Sequence, residues 1–339
     1  MAETSGLKTI TAGELMEMQL HPSREVVDGF LPTGTYILAG TPKIGKSFLM
    51  TQLCWCLSEG VRFMDFDTQK TTVLYLSLED TKIRLQSRLG TMFGVEWPGK
   101  DMHVTFKIDE KDKSLMQQMG DFVFDHPDTR LIVIDTLARA REHDNNTYSY
   151  AIDYKDMLLF KEFADARDLC LILVHHTRKN TESANPFDQI SGTNGLLGAA
   201  DGAFVLHREK GEVFLDFVGR DLPEQRYVLK FEPTHCLWEV VRTDIQTFEE
   251  PPEPLLDWID AIVLDFWNGT ATRLLHDLKE VAPDNLDWQP NQLTRRLNLL
   301  TVRLEKEKGI RYTSSRKSDG RMLRFTRIEA EKLEEELPI

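Results

Sequence analysis

The sequence lacks the features of exported and membrane-embedded chains. No apolar run approaches the length of a membrane-spanning helix, and no basic segment followed by an apolar core stands at the N-terminus. Only four residues are cysteines, none in a CxxC pair, and three of them stand in apolar stretches. We expect these thiols to be buried, and we expect Cys54 and Cys56 to bind no metal, because positions two apart point in different directions on a helix. The sequence predicts a cytoplasmic protein without a membrane partner.

Basic residues are also under-represented. The chain has 41 Lys and Arg against 55 Asp and Glu, which gives a formal net charge of −14. This balance excludes nucleic-acid binding through a generally basic surface, so any contact with DNA has to be confined to local patches or a channel. The hydrophobic content of 41% supports a substantial core, and 339 residues exceed the usual size of one domain. We therefore expect one large domain and one smaller domain.

The segment from Gly40 to Ser47, GTPKIGKS, has the spacing of a phosphate-binding loop. The apolar run Thr35–Ala39 before it predicts a buried strand, and Phe48–Leu57 after it follows a helical period. Backbone N–H groups of such a loop cradle a polyphosphate, while Lys46 reaches the β- and γ-phosphates and the Ser47 hydroxyl binds Mg²⁺. An ordinary glycine-containing turn is the alternative, which the spacing and both flanks disfavour. The predicted nucleotide-binding residues are Gly40, Thr41, Pro42, Lys43, Ile44, Gly45, Lys46, Ser47 and Phe48.

Two further predicted strands end in acidic residues. The run Val73–Leu78 leads into Glu79, and the apolar part of Arg130–Thr136 ends in Asp135. An open α/β sheet places catalytic groups at the carboxyl ends of its strands, so we predict a catalytic role for Glu79. Asp135 is predicted to contact Mg²⁺ or its water shell, with a loop cap as the alternative. For Asp80 we prefer a cap of the following helix.

A fourth apolar strand, Cys170–Val174, ends in the sequence HHTRK. The adjacent histidines point to opposite faces of an extended segment and have no third ligand nearby, which disfavours zinc. We expect one of the two imidazoles to hydrogen-bond toward the γ-phosphate and the other to pack away. The polar stretch Thr177–Leu197 fits either a mobile surface loop or a contact with a DNA backbone, and the sequence leaves both open. The predicted DNA-contacting residues of this stretch are Arg178, Lys179, Ser191, Gly192, Thr193 and Asn194.

From Gly202 onward the pattern changes to successive strands with hairpin turns. The predicted fold class is therefore α/β, a mostly parallel sheet flanked by helices and extended by antiparallel hairpins. Arg220 falls on a hairpin tip, where it is either solvated or able to reach the nucleotide of a neighbouring subunit.

The C-terminal part of the chain begins after a proline- and acid-rich linker. Three predicted helices, Leu255–Trp267, Ala271–Glu280 and Asn291–Lys308, precede two strands, which is the order of a winged helix. Between Pro290 and Arg327, eleven residues are Lys or Arg and only three are Asp or Glu. We therefore favour DNA binding over protein contacts. The predicted DNA-binding residues here are Arg316, Lys317 and Arg321. The predicted division is an extension over 1–24, the α/β domain over 25–245, the linker over 246–256 and the winged helix over 257–339.

Taken together, the motifs between Phe30 and Val241 resemble the RecA-like ATPase family, and within it the RepA-like branch of ring-forming replicative helicases. The resemblance implies that Lys46 and Ser47 hold Mg²⁺ and ATP. It also implies that Glu79 is the general base that polarises the attacking water, and that Asp135 is the Walker B acid. The implied assembly is a homo-oligomer, in the form of a hexameric ring.

The same resemblance assigns roles outside the phosphate loop. His176 matches the sensor position that couples the state of the γ-phosphate to the DNA-binding loop, here around Ser191–Leu197. Arg220 stands where DnaB-type helicases carry an arginine finger that acts between subunits. RepA-type proteins place a finger on the strand after the DNA loop, and the matching region GAADGAFVL has no arginine.

The predicted function is an ATP-dependent DNA motor that hydrolyses Mg-ATP at subunit interfaces and binds single-stranded DNA, with duplex binding through the winged helix left open. The alternative is a DNA-bound regulator or loading factor in which ATP switches assembly without strand separation. A small-molecule kinase is disfavoured because no arginine-rich lid is present.

Overall fold

A computed structural model of the chain describes residues 9–20, 24–97, 99–109, 113–141, 150–177, 185–190, 194–220, 222–245, 252–282, 287–317 and 320–328. The chain forms two compact units, a large one over Ser23–Phe248 and a small one that combines Met1–Pro22 with Glu249–Ile339. The sequence predicts a separate extension over 1–24, but the structure groups nearly all of that extension with the C-terminal unit. The units divide inside the predicted linker, of which residues 246–251 lie outside the described part of the chain.

Helices and strands alternate through most of the large unit. The helices are α1 (Ala12–Glu17), α2 (Lys46–Glu59), α3 (Lys82–Phe93), α4 (Leu115–Asp125), α5 (Leu137–Ala140), α6 (Tyr150–Asp165), α7 (Asn194–Ala199), α8 (Pro254–Ile262), α9 (Ala271–Leu278), α10 (Pro290–Leu299) and α11 (Thr301–Lys308). The strands are β1 (Glu25–Val27), β2 (Leu31–Pro32), β3 (Gly34–Gly40), β4 (Thr72–Ser77), β5 (Met102–Thr105), β6 (Thr129–Asp135), β7 (Cys170–His176), β8 (Gly202–Glu209), β9 (Glu212–Gly219), β10 (Gln225–Glu232), β11 (Leu237–Ile245), β12 (Phe266–Thr270), β13 (Ile310–Lys317) and β14 (Gly320–Arg327). Within the described ranges, none of these helices has both the length and the apolar character needed to cross a bilayer.

The large unit is built on a nine-stranded sheet with the order β11-β10-β9-β8-β3-β7-β6-β4-β5. The strands from β8 to β5 pair in parallel, whereas β9, β10 and β11 continue the sheet as antiparallel neighbours. Parallel strands need crossover helices, which cover both faces of the sheet. In β3, Tyr36 and Leu38 accordingly enter the core beneath α2, while Ile37 and Ala39 enter the core beneath α6. The predicted α/β class with an antiparallel extension is confirmed.

The register of the parallel strands decides where the site lies. Strand β3 pairs with β7 so that Gly40 stands opposite His176, and β6 pairs with β4 so that Asp135 stands opposite Ser77. These strands are uninterrupted apolar runs because both of their faces are covered. Their carboxyl ends therefore meet at one edge of the sheet, and the polar residues that follow them converge there.

Helix α3 begins differently from the sequence prediction. Thr81, not Asp80, is its N-cap residue, and the Thr81 hydroxyl accepts a hydrogen bond from the backbone N–H of Arg84 at 3.3 Å. The Asp80 carboxylate instead forms an ion pair with Arg88 at 2.7 Å. The acid is thus one position too early for the cap and is available to hold a cation.

In the small unit, α8, β12, α9, α10, α11, β13 and β14 follow one another, and the sheet order is β12-β14-β13. Two predicted helices are wrong in part. The first ends at Ile262, and Trp267 lies in β12, where its indole donates to Asp277 at 2.9 Å and its ring packs edge-on against Phe325. The predicted helix Asn291–Lys308 is in fact two helices, α10 and α11, which meet at Leu300.

Candidate nucleotide-binding site

The phosphate loop requires glycine at two positions for steric reasons. A Cβ at Gly40 would lie 2.6 Å from the carbonyl oxygen of Leu206 in β8. Gly45 has a φ of 110°, and a Cβ there would lie 2.7 Å from the ring of Trp238 in β11. The Trp238 indole also donates a hydrogen bond to the Gly45 carbonyl at 3.2 Å. Strand β8, next to β3, and the edge strand β11 therefore fix the loop between β3 and α2.

Strand β11 also holds the first turns of α2. The Gln52 side chain donates to the carbonyl of Trp238 at 2.9 Å and accepts from its backbone N–H at 2.8 Å. Both partners are buried. A paired amide of this kind leaves no orphaned polar group, so it fixes the direction of α2 relative to the sheet.

Lys46 lies at the start of α2 and is 6% exposed. Its ammonium donates to the carbonyl oxygens of Gly40 at 2.7 Å and Thr41 at 3.2 Å, and lies 3.4 Å from Nδ1 of His176. Burial lowers the pKa of Lys46 to about 8, and the negative charges of Asp135 and Glu79 oppose that shift. The cation is thus partly desolvated and faces two carboxylates across the site.

We expect Mg-ATP affinity to fall as the pH rises through about 8, because the free protein then loses the Lys46 proton that the phosphates require. Below that pH the lysine is charged and binding needs no proton uptake. The matched variant is Lys46→Arg, whose guanidinium stays protonated and whose profile should be flat in this range. Titration calorimetry at several pH values measures both profiles. Parallel profiles for the two proteins would contradict the assignment of the titration to Lys46.

Asp135, at the end of β6, is 6% exposed. It accepts a hydrogen bond from the Tyr75 hydroxyl at 2.9 Å, and the Ser47 hydroxyl lies close enough to interact with it. Burial raises the pKa of this carboxyl group, while its interactions with the Ser47 and Tyr75 hydroxyls oppose the shift. Asp135 and Ser47 thus form one cluster of hard oxygen ligands below the phosphate loop.

The Glu79 carboxylate accepts a hydrogen bond from the Thr136 hydroxyl at 2.8 Å. Glu79, Lys46, Asp135 and His176 line one cavity of about 410 Å³. The remaining lining residues are Pro42, Lys43, Gly45, Ser47, Phe48, Arg88 and Thr136. The structure therefore brings together, in one cavity, residues that the sequence predicts for nucleotide, metal and catalysis.

Sequence reasoning missed Arg88. Its guanidinium lines the cavity, forms the ion pair with Asp80 and lies 4.7 Å from the ring centroid of Phe48. Its Nε and Nη1 atoms are buried and have no hydrogen-bond partner among the described residues. Arg88 stands on the same face of α3 as the buried Leu85 and Met92. The sequence signal for Arg88 is an arginine on the apolar face of a helix, eight positions after Asp80.

The two adjacent histidines at the end of β7 differ in environment, as the alternation of a strand requires. His176 is partly exposed and lines the cavity, whereas His175 is buried. Burial lowers the pKa of His176, and the nearby Lys46 cation lowers it further. His176 is thus favoured as a neutral imidazole near neutral pH, a form that can accept a hydrogen bond on one ring nitrogen and donate one from the other.

The site fits a magnesium ion that is held chiefly by nucleotide phosphates. In the described residues no group of three or more His, Cys, Asp and Glu could hold a metal alone. Mg²⁺ in phosphate-transfer sites typically uses one or two protein oxygens together with phosphates and water. The Ser47 hydroxyl and the buried Asp135 carboxylate would supply those oxygens.

Arg220 does not line this cavity of its own chain. Its guanidinium donates to the carbonyl of Gly198, at the end of α7, at 3.0 Å and lies 4.0 Å from the Asp201 carboxylate. The Arg220 side chain is 54% exposed. It follows β9 and is tied to the helix that comes directly after the predicted DNA-contacting segment.

The remaining predicted DNA-contacting residues have less structural description. Arg178, Lys179, Ser191, Gly192 and Thr193 lie outside the described residues, and Asn194 is described only as the first residue of α7. Arg316 and Lys317 are placed by their backbone at the end of β13. The Arg321 side chain is described and forms an ion pair with Glu17 at 2.6 Å.

The parallel sheet, the loop at its edge and the strand-end acids define a P-loop ATPase with a RecA-like fold. A family model described as an AAA domain, AAA_25, matches residues 1–182, more than half of the chain. The protein belongs to this family. None of the curated proteins compared with the chain matches it.

Two solved structures are similar to the chain at 15% sequence identity. One is the ATPase domain of G40P, with a TM-score of 0.49, covering 62% of this chain and 85% of the other. The other is the KaiC-like protein PH0186 from the archaeon Pyrococcus horikoshii OT3, with a TM-score of 0.45, covering 65% of this chain and 100% of the other.

Proposed function

We propose that the protein is an ATP-dependent DNA motor that hydrolyses Mg-ATP at the interfaces between its own copies. The observation that carries the proposal is the convergence of Lys46, Ser47, Glu79, Asp135 and His176 on one cavity at the edge of the sheet. A site that only binds a nucleotide needs the loop and its lysine. A site that hydrolyses the nucleotide also needs a carboxylate near the phosphates to act as a general base.

Each residue has a separate part in the proposed reaction. Glu79, oriented by Thr136, accepts hydrogen bonds from the attacking water and removes its proton. Lys46 and Arg88 face the developing negative charge on the transferred phosphoryl group, and the buried, unpartnered N–H groups of Arg88 gain acceptors in phosphate oxygens. Magnesium, when bound at Ser47 and Asp135, neutralises part of the phosphate charge.

Arg220 is the proposed contact between subunits. Its exposed guanidinium is directed toward α7, not toward its own phosphate loop, so it is available to the nucleotide of a neighbouring copy. A movement of α7 would change the hydrogen bond from Arg220 to Gly198 directly. DNA that displaced the segment before α7 would thereby reposition the arginine, which supports coupling of DNA binding to hydrolysis and a ring as the working assembly.

The small unit is the proposed winged helix. Its order of helix (α8), strand (β12), three helices (α9, α10 and α11) and β-hairpin (β13 and β14) supports that interpretation, as does the excess of basic residues between Pro290 and Arg327. The same observations favour the second candidate, a regulator or loading factor that reads duplex DNA while ATP switches its assembly.

The two candidates differ in how hydrolysis responds to DNA. For a motor, we expect single-stranded DNA to raise the rate of Mg-ATP turnover by about tenfold or more, and a tailed duplex to be separated. A regulator binds duplex DNA without strand separation. Turnover that is indifferent to single-stranded DNA, with tight duplex binding, would contradict the motor and support the regulator. The oligomeric mass with and without Mg-ATP and DNA tests the ring.

A further inference from the structure

Two arginines of the small unit meet at a single carboxylate. Arg295 of α10 donates from Nε to Oε1 of Glu17 at 2.8 Å, and Arg321 of β14 donates from Nη1 to Oε2 of the same residue at 2.6 Å. Glu17 is the last residue of α1, and Arg295 lies 278 positions further along the sequence. The hydrogen bonds from Arg295 and the charges of both arginines lower the pKa of Glu17. The two arginines therefore bind one bridging anion, which here is the Glu17 carboxylate.

Helix α1 is attached to the small unit mainly by polar contacts. None of its residues is buried, and large apolar side chains of the segment, including Ile10, Leu15 and Leu20, are exposed. Beyond Glu17, the amide of Gln19 donates to the carbonyl of Tyr312 and accepts from the N–H of Ser314, along the edge strand β13. Without a buried apolar face, a short helix is only marginally stable. Partly exposed ion pairs such as these contribute little to stability. The helix can therefore be displaced by a stronger anion.

The surroundings of the arginine pair suit a larger ligand than one carboxylate. A cavity of about 890 Å³ lies beside the pair. It is lined on one side by α1 and on the other by the first residues of α9 and α10, including Thr272 and Asn291. Helix N-termini favour negative charge, and the surrounding sequence from Pro290 to Arg327 is strongly basic in an acidic protein. Side chains, helix ends and local charge all favour an extended polyanion.

We propose that Arg295 and Arg321 form a phosphate-binding site for the backbone of duplex DNA, and that Glu17 occupies this site in the protein without DNA. The proposal rests on the proposed DNA-binding role of the small unit and assigns its contact and its regulation. Arginine pairs bind phosphate oxygens and carboxylates with the same geometry, so Glu17 stands where a phosphate would bind. DNA and α1 then compete, and DNA binding releases the N-terminal helix.

The test is the affinity of the full chain for a short duplex, measured by fluorescence anisotropy at several salt concentrations. We expect Glu17→Gln to raise the affinity by about fivefold or more, because the competing charge is removed. Gln19→Ala should raise it in the same direction without changing any charge, because it loosens α1. Arg295→Ala and Arg321→Ala should lower the affinity, and each should reduce the slope of log K against log salt by about one. When both arginines are already replaced by alanine, the additional Glu17→Gln substitution should not raise the affinity for DNA.

The matched control is Glu14→Gln. Glu14 lies on the same helix and lines the same cavity, but its carboxylate accepts hydrogen bonds from Thr11, a capping interaction that glutamine retains. Its affinity should equal that of the wild type. An equal gain in Glu14→Gln would reduce the effect to net charge and overturn the proposal. An unchanged affinity in Glu17→Gln would also overturn it.

Other outcomes separate this proposal from the proposed motor. If neither the wild type nor Glu17→Gln binds duplex DNA, the phosphate site is wrong, while Glu79-dependent hydrolysis is measured independently and stands or fails by itself. If a polyglutamate peptide binds Glu17→Gln as tightly as the duplex does, the pair is a site for acidic protein, which overturns the assignment to DNA. Loss of hydrolysis in Glu79→Gln has no bearing on the binding measurements.

Discussion

Replacing Glu79 by glutamine should lower the rate of ATP turnover by about a thousandfold, within the range of general-base catalysis. The amide cannot accept the proton of the attacking water, but it has nearly the shape of the carboxylate. Its oxygen can still accept the hydrogen bond that Thr136 now donates to Glu79 at 2.8 Å. The substitution therefore removes the base with little change in the cavity. Steady-state turnover gives the rate, and titration with a fluorescent ATP analogue gives the affinity, which should change little.

The control for this prediction is Glu59→Gln. Glu59 is the last residue of α2, at the opposite end of the helix that begins with Lys46, so the same charge is removed far from the phosphates. Its turnover should match that of the wild type. Near-normal turnover in Glu79→Gln would mean that another group activates the water, and the proposed hydrolytic role of Glu79 would be wrong. A large loss of nucleotide affinity would instead point to a role in binding.

The second large effect is expected for Lys46→Met, which should weaken Mg-ATP binding by at least about a hundredfold, since it removes a buried charge from the phosphates. Methionine retains most of the buried stem that Lys46 packs into the start of α2. It also removes an ammonium group whose pKa burial has already lowered to about 8. The free protein then loses a desolvated cation together with the hydrogen bonds from Lys46 to the carbonyls of Gly40 and Thr41, two effects of opposite sign, and we expect its melting temperature to change little. Calorimetry of binding and of unfolding measures both effects.

Lys43→Met provides the comparison within the same loop. The Lys43 side chain is exposed, so loss of its charge should weaken binding by less than about fivefold. Similar losses in the two variants would show that the loop acts through its total charge and not through the position of Lys46. A fall in melting temperature for Lys46→Met would show that the lysine stabilises the free loop and would make the loss of affinity partly structural.

Much of the large unit could be predicted because its information is local. The phosphate loop is contiguous, and Glu79 and Asp135 each follow an apolar run directly, so parallel pairing brings them to the edge that Gly40 occupies. The alternation of β7 predicts that His175 and His176 point to opposite faces, and the resemblance to RecA-like ATPases selects His176 as the residue that faces the nucleotide. These residues needed only the type of each element and its direction.

The contacts that escaped prediction connect distant parts of the sequence. Trp238 reaches Gly45 only because β11 is the end of an antiparallel extension, and Arg88 reaches the cavity only through the packing of α3. Glu17 meets Arg295 across nearly the whole chain, and a short polar helix shows no pattern that predicts its docking site. In the small unit, the sequence predicts Trp267 at the end of a helix, whereas the structure places it in β12, a strand that forms only by pairing with β14, more than 50 residues later.

The contact between Gly45 and the Trp238 ring affects the free energy of nucleotide binding. Because the indole and the Gln52 amide fix the loop in the free protein, we expect little conformational entropy to be lost when a triphosphate binds. Binding free energy is then available for moving other parts of the molecule. For the proposed motor, a rigid phosphate loop joined to elements that can move would direct that free energy into motion.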